Sequence, residues 1–208
     1  MYHTVHFSAM AGKDPRGRLL EAAIEHIAAR GVSDLSLREL AAAIGTSHRM
    51  LIHHFGNREG LWVEVIRAVE QHQRDSLADI VPDPTAGVGE ALRQWWRHIS
   101  DPSLWPNERL FFELYGQALQ GRPGTTELLD GIVDAWLEPS AEGLIAFGVP
   151  REEALAQARL GVAVSRGLLL DLLATRDRTA VDAAMEGYIA LLEAWLDGKP
   201  EALLTNPD

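Results

Sequence analysis

The sequence predicts an all-α protein of about nine helices, with an N-terminal three-helix unit that contains a helix-turn-helix and a larger C-terminal helical domain. Apolar residues recur at helical spacing along nearly the whole chain, and no run alternates apolar and polar residues as a half-buried strand does. Glycine and proline separate the apolar stretches at intervals typical of helix ends. We place the domain boundary so that residues 13–73 form the first domain and residues 74–208 the second.

The first helix is predicted over residues 15–30, because Asp14 can cap its N-terminus, Pro15 suits its first turn and Gly31 ends it. The fourth helix is long, over residues 58–80, and ends before two prolines. The C-terminal helices follow from the same punctuation and are expected over residues 84–100, 103–121, 125–147, 151–175 and 179–196. We expect Pro139 to kink or split the helix that contains it.

Residues 36–55 have the arrangement of a helix-turn-helix. Ser36 and Glu39 have the spacing of a capping box, which opens a short second helix. Gly45 ends that helix, and a short third helix is predicted over residues 48–54. In proteins that bind DNA through this motif, the second helix of the motif enters the major groove and presents its N-terminal residues to base edges.

The candidates for contact with DNA lie in or beside the three predicted helices that follow residue 35. They are Ser36, Thr46, Ser47, His48, Arg49, Met50, His53, His54 and Arg58. Arg49 can form two hydrogen bonds with a guanine edge, and the two capping residues of the third helix can meet a phosphate together with the amides they cap. The basic residues Lys13, Arg16 and Arg18 are compatible with an arm on the phosphates or the minor groove, and equally with solvated side chains.

Charge is distributed unevenly along the chain. The whole sequence carries a formal net charge of -11, which on average argues against binding to nucleic acid. Residues 1–60, however, carry about +1 and contain six of the eight histidines, whereas the remainder carries about −12. This asymmetry suggests two functions on one chain.

Residues 13–73 resemble the DNA-binding domain of TetR-family (tetracycline-repressor-like) transcriptional regulators. The stretches that carry the resemblance are Gly45-Thr46-Ser47, Leu51-Ile52-His53-His54-Phe55 and Arg58-Glu59-Gly60-Leu61. Ile52 departs from the family's usual tyrosine, which commonly touches a phosphate, and His48-Arg49 replaces a frequent Lys/Gly-type pair. The resemblance implies a homodimeric repressor on a near-palindromic operator. It also implies C-terminal helices that enclose a ligand cavity, with ligand binding lowering the affinity for the operator.

The second domain offers candidates for the ligand site on several helix faces. They are Trp95, His98, Ile99, Phe111, Tyr115, Val133 and Trp136. These side chains favour an apolar or aromatic small molecule as the effector. Ordinary core packing is the alternative interpretation of the aromatic residues.

The helices over residues 151–175 and 179–196 suggest self-association, because the first of them has almost no polar face in its second half. The interface candidates are Gly161, Val164, Gly167, Leu168, Tyr188, Leu192 and Trp195. They are compatible with half of a two-fold four-helix interface. The alternative is a central core helix in a monomer.

The sequence gives no support for an enzyme, a metal site or a cofactor. Cysteine is absent, which excludes disulfides, cysteine-ligated metals and thiol catalysis and fits a reducing cytoplasm. Gly-rich phosphate loops, His-Glu-x-x-His and Gly-x-Ser-x-Gly motifs are missing as well. No run of about 18 uncharged apolar residues indicates a membrane span, and the first ten residues lack a signal-peptide pattern. The remaining alternative to a DNA-binding regulator is a helical adaptor, or a small-molecule-binding bundle that does not bind DNA.

Overall fold

The structure, a computed structural model, describes residues 14–30, 35–78 and 87–198 of the 208-residue chain. Within these ranges the all-α class is confirmed, since the chain forms nine α-helices and two 3-10 turns and no strand. The helices are α1 (Pro15–Arg30), α2 (Leu37–Ala43), α3 (His48–Phe55), α4 (Arg58–Ala78), α5 (Gly87–Ile99), α6 (Trp105–Leu119), α7 (Asp134–Ala146), α8 (Arg151–Thr175) and α9 (Arg178–Asp197). None of the described helices is long and apolar enough to cross a membrane.

The helix predicted over residues 125–147 is wrong in its first part. The structure has a 3-10 turn at Thr126–Leu129, and α7 begins only at Asp134. The interruption includes Gly131, whose φ of +70° lies in the left-handed region that glycine adopts without steric cost. Pro139 does not end α7, which continues through it to Ala146. The break that we expected at the proline therefore lies eight residues earlier, at the glycine.

Several helix ends that we predicted lie outside the described residues. This applies to Gly31 after α1 and to the prolines expected to end α4, as well as to the first residues of the helix predicted over 84–100. Lys13, a candidate for a basic arm, also lies outside them. α6 begins at Trp105, two residues later than predicted, after a 3-10 turn at Pro102–Leu104.

The chain divides into two compact units. The first spans Met1–Glu70 and Ser103–Leu129, and the second spans Gln71–Pro102 and Asp130–Asp208. Residues 103–129 therefore cluster with the helix-turn-helix, although we had placed them with the C-terminal domain. The contacts explain this: α6 packs against α1, and Nη2 of Arg67 on α4 donates a 2.8 Å hydrogen bond to the carbonyl oxygen of Glu127.

The first unit buries apolar side chains from α1, α2, α3, α4 and α6. The most deeply buried are Ala23, Ile27, Leu40, Leu51, Leu61, Val65, Ile66, Leu110 and Leu114, each at most 1% exposed. On α1 these residues follow helical spacing, so a single face of the helix is apolar. Truncation of a fully buried leucine such as Leu40 or Leu51 to alanine costs about 2–5 kcal/mol, because it leaves a cavity that the neighbours only partly fill.

The second unit has a core between α7, α8 and α9. Its buried residues are Ala141, Leu144, Val149, Ala154, Ala158 and Leu192. α5 packs on α9, where Nε1 of Trp96 donates a 2.7 Å hydrogen bond to Oδ1 of Asp182. Arg93 on α5 forms ion pairs with Glu186 at 2.9 Å and with Glu193 at 3.6 Å. These polar contacts between α5 and α9 restrict the orientation of the two helices relative to each other.

Candidate nucleic-acid interface

A capping box opens α2, as the sequence predicted. The Ser36 amide donates a 2.8 Å hydrogen bond to Oε2 of Glu39, and the Glu39 amide donates one of 3.3 Å to Oγ of Ser36. The hydrogen bond from the Ser36 backbone, with a further one from its hydroxyl, lowers the pKa of Glu39. Two amide groups at the N-terminus of this seven-residue helix are thereby satisfied locally.

The turn between α2 and α3 depends on Gly45. Its φ of +71° is a conformation that side chains with a Cβ rarely adopt. The Thr46 amide then donates a 2.8 Å hydrogen bond to the carbonyl oxygen of Ala41, which folds the chain back. Oγ of Ser47 accepts a hydrogen bond of 3.2 Å from the Met50 amide and caps α3. The start of α3 is therefore set by two consecutive local interactions.

The orientation of α3 follows from its buried side. Leu51 is completely buried and Phe55 is 8% exposed. At about 100° per residue, Arg49 and His53 lie on the side opposite to these two anchors, and both side chains are exposed. An arginine and a histidine therefore occupy the centre of the outward face.

The junction between α3 and α4 depends on Gly60, to which the sequence analysis assigned no role of its own. A Cβ on Gly60 would lie 2.4 Å from the carbonyl oxygen of Phe55, so only glycine allows the two helices to approach this closely. The Gly60 amide also donates a 2.7 Å hydrogen bond to Oδ1 of Asn57, which caps α4. A glycine in the first turn of a predicted helix, where it lowers helix propensity, was the signal available in the sequence.

The predicted DNA contacts differ in how accessible the structure makes them. The exposed ones are Ser36, Ser47, Arg49, Met50 and His53, and the half-buried ones are Thr46, His48, His54 and Arg58. The guanidinium of Arg58 lies 5.9 Å from the ring centre of Trp62. Within the described residues, Nε2 of His54 and Nε of Arg58 are buried without a hydrogen-bond partner. These two side chains have donors or acceptors that no neighbour uses.

Arg16, a candidate for a basic arm, is engaged inside the first unit. Its Nη2 forms a 2.5 Å ion pair with Oε2 of Glu64, and its guanidinium lies 5.3 Å from the ring centre of Phe55. Arg16 therefore links α1 to the C-terminal end of α3 and to α4. These contacts occupy a side chain that the sequence left open for a basic arm.

The electrostatic character of this region is set by the sequence around the turn. No acidic residue lies between Glu39 and Glu59, while the same stretch contains Arg49, Arg58 and three histidines. The surface built from α3 and its flanks therefore differs in sign from the rest of the chain. Such a surface attracts phosphates, and its affinity for them falls with added salt.

The ligand-site candidates divide between the two units. The second unit brings Trp95, His98 and Trp136 together, with the Trp95 ring centre 5.5 Å from that of Trp136 and 5.7 Å from that of His98. Burial lowers the pKa of His98, and the nearby His72 lowers it further, while Asp101 opposes them. Nε2 of His98 is buried without a hydrogen-bond partner among the described residues.

The remaining candidates for the ligand site are placed differently. Ile99 is buried in the second unit and Val133 is half-buried there. Phe111 and Tyr115 belong to the first unit, where their rings stack at 5.5 Å. The structure therefore groups three of the seven candidates into one aromatic cluster, Trp95, His98 and Trp136.

Most of the predicted interface residues on α8 and α9 take part in contacts within the chain. A Cβ on Gly161 would lie 3.1 Å from Oη of Tyr188, so glycine allows α9 to approach α8 here. Burial raises the pKa of Tyr188. Leu192 belongs to the core of the second unit, and Trp195 packs against it. Val164 and Leu168 are half-buried, whereas Gly167 is exposed.

A side of α8 and α9 that shares only Gly167 with the predicted interface residues is exposed and apolar, and we call it the small-residue face. It consists of Ala156, Leu160, Ala163, Gly167, Leu170 and Ala174 on α8, and of Ala180, Ala184, Gly187, Leu191 and Ala194 on α9. On both helices these residues are three or four positions apart, the spacing of a seam between packed helices. Leu191 is 73% exposed and Leu170 is 52% exposed, so the face presents large apolar side chains beside the small ones.

Comparisons with known proteins agree with the geometry of the first unit. The family model for bacterial regulatory proteins of the tetR family matches residues 19–65. The chain is 29% identical, over 196 residues that cover 87% of this chain and 84% of the relative, to the HTH-type transcriptional regulatory protein RaaS of Mycobacterium tuberculosis.

Solved structures share the fold. A transcriptional regulator from Rhodococcus sp. Rha1 superposes with a TM-score of 0.67 at 21% identity, covering 86% of this chain and 95% of that one. A TetR transcriptional regulator from Legionella pneumophila gives a TM-score of 0.64 at 20% identity, covering 88% and 99%. At these identities the structural likeness supports the fold.

Proposed function

The chain belongs to the tetR family of bacterial regulatory proteins, and from this premise we propose that it is a repressor released from its operator by a small molecule. The observation that carries the proposal is the outward face of α3, where Arg49 and His53 are exposed opposite the anchors Leu51 and Phe55. A helix held in this way can enter the major groove without rearrangement. A regulator of this kind acts on the bacterial chromosome, hence in the cytoplasm.

We assign the base-reading role to Arg49, whose guanidinium suits the O6 and N7 acceptors of guanine. His53 lies beside it on the same exposed face. The capped start of α3 at Ser47 and the guanidinium of Arg58 suit phosphates on the two sides of the groove.

The small-residue face supports a homodimer. Small side chains let two copies of α8 and α9 approach closely, and the exposed leucines would then be buried in a four-helix interface. A two-fold dimer presents two copies of α3 to successive major grooves about 34 Å apart. The operator is therefore expected to be a near-palindrome.

The aromatic cluster of Trp95, His98 and Trp136 supports a site for an apolar or aromatic effector in the second unit. The lowered pKa of His98 keeps its ring neutral at pH 7, so it can offer one hydrogen bond without the cost of a buried charge. An effector bound there can weaken operator binding only if it prefers the conformation that binds DNA less well.

Selection of bound sequences from a random DNA pool tests the DNA-binding function. We expect a near-palindromic sequence to be enriched, with affinity that falls steeply with salt. Arg49→Ala should weaken binding to that sequence at least tenfold and change non-specific binding little, because the lost contact is with a base. Arg109→Ala, which removes an exposed arginine of α6 in the same unit, is the matched control and should leave both affinities unchanged.

Two results would contradict this function. Equal losses for specific and non-specific DNA in Arg49→Ala would remove the base-reading role from Arg49. Failure of the pool to yield any sequence, together with salt-independent retention on DNA, would favour the helical adaptor instead.

A further inference from the structure

Two large apolar side chains are exposed on α3. Met50 and Ile52 are each 39% exposed, although the helix has only eight residues. The other large apolar residues exposed in the described part of the chain are Leu119 at the end of α6 and the three leucines of the small-residue face. The apolar exposure on α3 therefore coincides with the surface to which we assign DNA recognition.

Helix geometry places these two side chains on either side of the polar centre of α3. At about 100° per residue, Ile52 lies about 60° from Arg49 around the helix axis, and Met50 lies about 60° from His53 on the other flank. Met50 lies about 100° from the buried anchor Leu51 and Ile52 about 60° from the buried anchor Phe55, so both border the buried side as well. The outward face is thus a row formed by an arginine and a histidine, bordered by an apolar group on each side.

The major groove offers a single apolar feature on its base edges, the C5-methyl group of thymine. The side chains of Met50 and Ile52 have no hydrogen-bond donor and no strong acceptor, so they gain little from the polar groups of the other bases. Contact with that methyl group removes apolar surface of both partners from water.

Resting on the proposed function, we infer that Met50 and Ile52 are specificity residues that recognise thymine by its methyl group. Each operator half-site then contains thymines that flank the base pairs read by Arg49 and His53. Such a contact distinguishes thymine from cytosine and also from uracil, which pairs identically but lacks the methyl group.

Deoxyuridine substitution tests this contact one methyl group at a time. After the operator has been selected, each thymine of one half-site is replaced in turn by deoxyuridine, and Kd is measured for the wild type, Met50→Ala, Ile52→Ala and Leu119→Ala. We expect one or more substitutions to raise the Kd of the wild type about fourfold each, which corresponds to the burial of one methyl-sized group. Met50→Ala and Ile52→Ala should each become insensitive at one such position.

Leu119→Ala is the matched control, since it truncates an exposed apolar side chain of the same unit outside α3. It should keep the full response to deoxyuridine. An operator that tolerates deoxyuridine at every thymine would overturn the inference and leave the proposed function intact. The inference would also be overturned if each alanine variant kept the wild-type ratio of Kd between the deoxyuridine and thymine operators. The side chains would then act in folding or in protein contacts. Failure to select any operator would overturn the proposed function and this inference together.

Discussion

The outward face of α3 and the small-residue face of α8 and α9 both expose apolar groups, but the residues beside these groups differ. On α3 the apolar side chains of Met50 and Ile52 border a polar row, whereas the small-residue face is apolar along its length. A mixed surface suits a groove that offers hydrogen-bonding groups beside methyl groups. A uniform surface of small residues suits another helix of the same kind. The composition around an exposed apolar residue therefore indicates the class of partner.

The largest effect is expected from a charge in the small-residue face. Gly167→Glu should prevent dimerisation, because a carboxylate would be desolvated at the closest approach of two helices. Operator affinity should then fall about a hundredfold or more, since the two copies of α3 no longer bind DNA as parts of one molecule. Light scattering after size exclusion gives the mass. Ala146→Glu, at an exposed position of α7, is the control and should remain dimeric. A dimeric Gly167→Glu would place the interface on another surface.

A smaller effect is expected at the junction that orients α3. Gly60→Ala should destabilise the first unit by about 1–3 kcal/mol, because its Cβ would overlap the carbonyl oxygen of Phe55. Gly116→Ala tests the same exchange where no atom lies within 4 Å of the new Cβ, and it should be neutral or slightly stabilising. Urea unfolding of the two variants gives the comparison. Equal stability would mean that the junction relaxes at little cost.

The capping box of α2 should contribute less. Ser36→Ala removes the side-chain acceptor at the N-terminus of α2 and should cost about 1 kcal/mol at neutral pH. Since the pKa of Glu39 is lowered in the folded protein, its contribution is present above the unfolded value and is lost as the pH falls through the folded one. The difference between wild type and variant should therefore shrink in acid. Urea titrations at pH 7 and at about pH 3 measure it, and a difference independent of pH would exclude Glu39 from the effect.

The smallest effect concerns the second unit and its aromatic cluster. Because burial lowers the pKa of His98, the unfolded chain takes up this proton at a higher pH than the folded one. Stability due to His98 is therefore full above the unfolded pKa and declines as the pH falls through and below it. His98→Gln should flatten that part of the curve of unfolding free energy against pH. The same slope in both proteins would show that other groups dominate.

Local interactions made the first unit accessible to prediction. The caps at Ser36 and Ser47 and the turn at Gly45 act within a few residues, and each was readable from the chain. The break before α7 was misplaced because we considered Pro139 and not Gly131, whose left-handed conformation lies in the interruption before α7.

Long-range packing explains what the sequence did not reveal. α9 has two apolar sides, and nothing in its periodicity shows that Leu192 and Trp195 pack within the chain while Leu191 is exposed. Likewise, the assignment of Phe111 and Tyr115 to the first unit follows from the packing of α6 on α1, which joins segments about 90 positions apart. A pattern that repeats every few residues does not show which distant segment of the chain a helix packs against.

The inclusion of residues 103–129 in the first unit has a practical consequence for protein engineering. A chimera that joins residues 1–73 of this chain to a foreign sensor domain would leave α1 without α6, and Arg67 without the carbonyl of Glu127. A graft that also transfers residues 103–129 keeps these contacts. Transfer of the complete first unit therefore needs two separate segments of the gene, because Met1–Glu70 and Ser103–Leu129 are not contiguous.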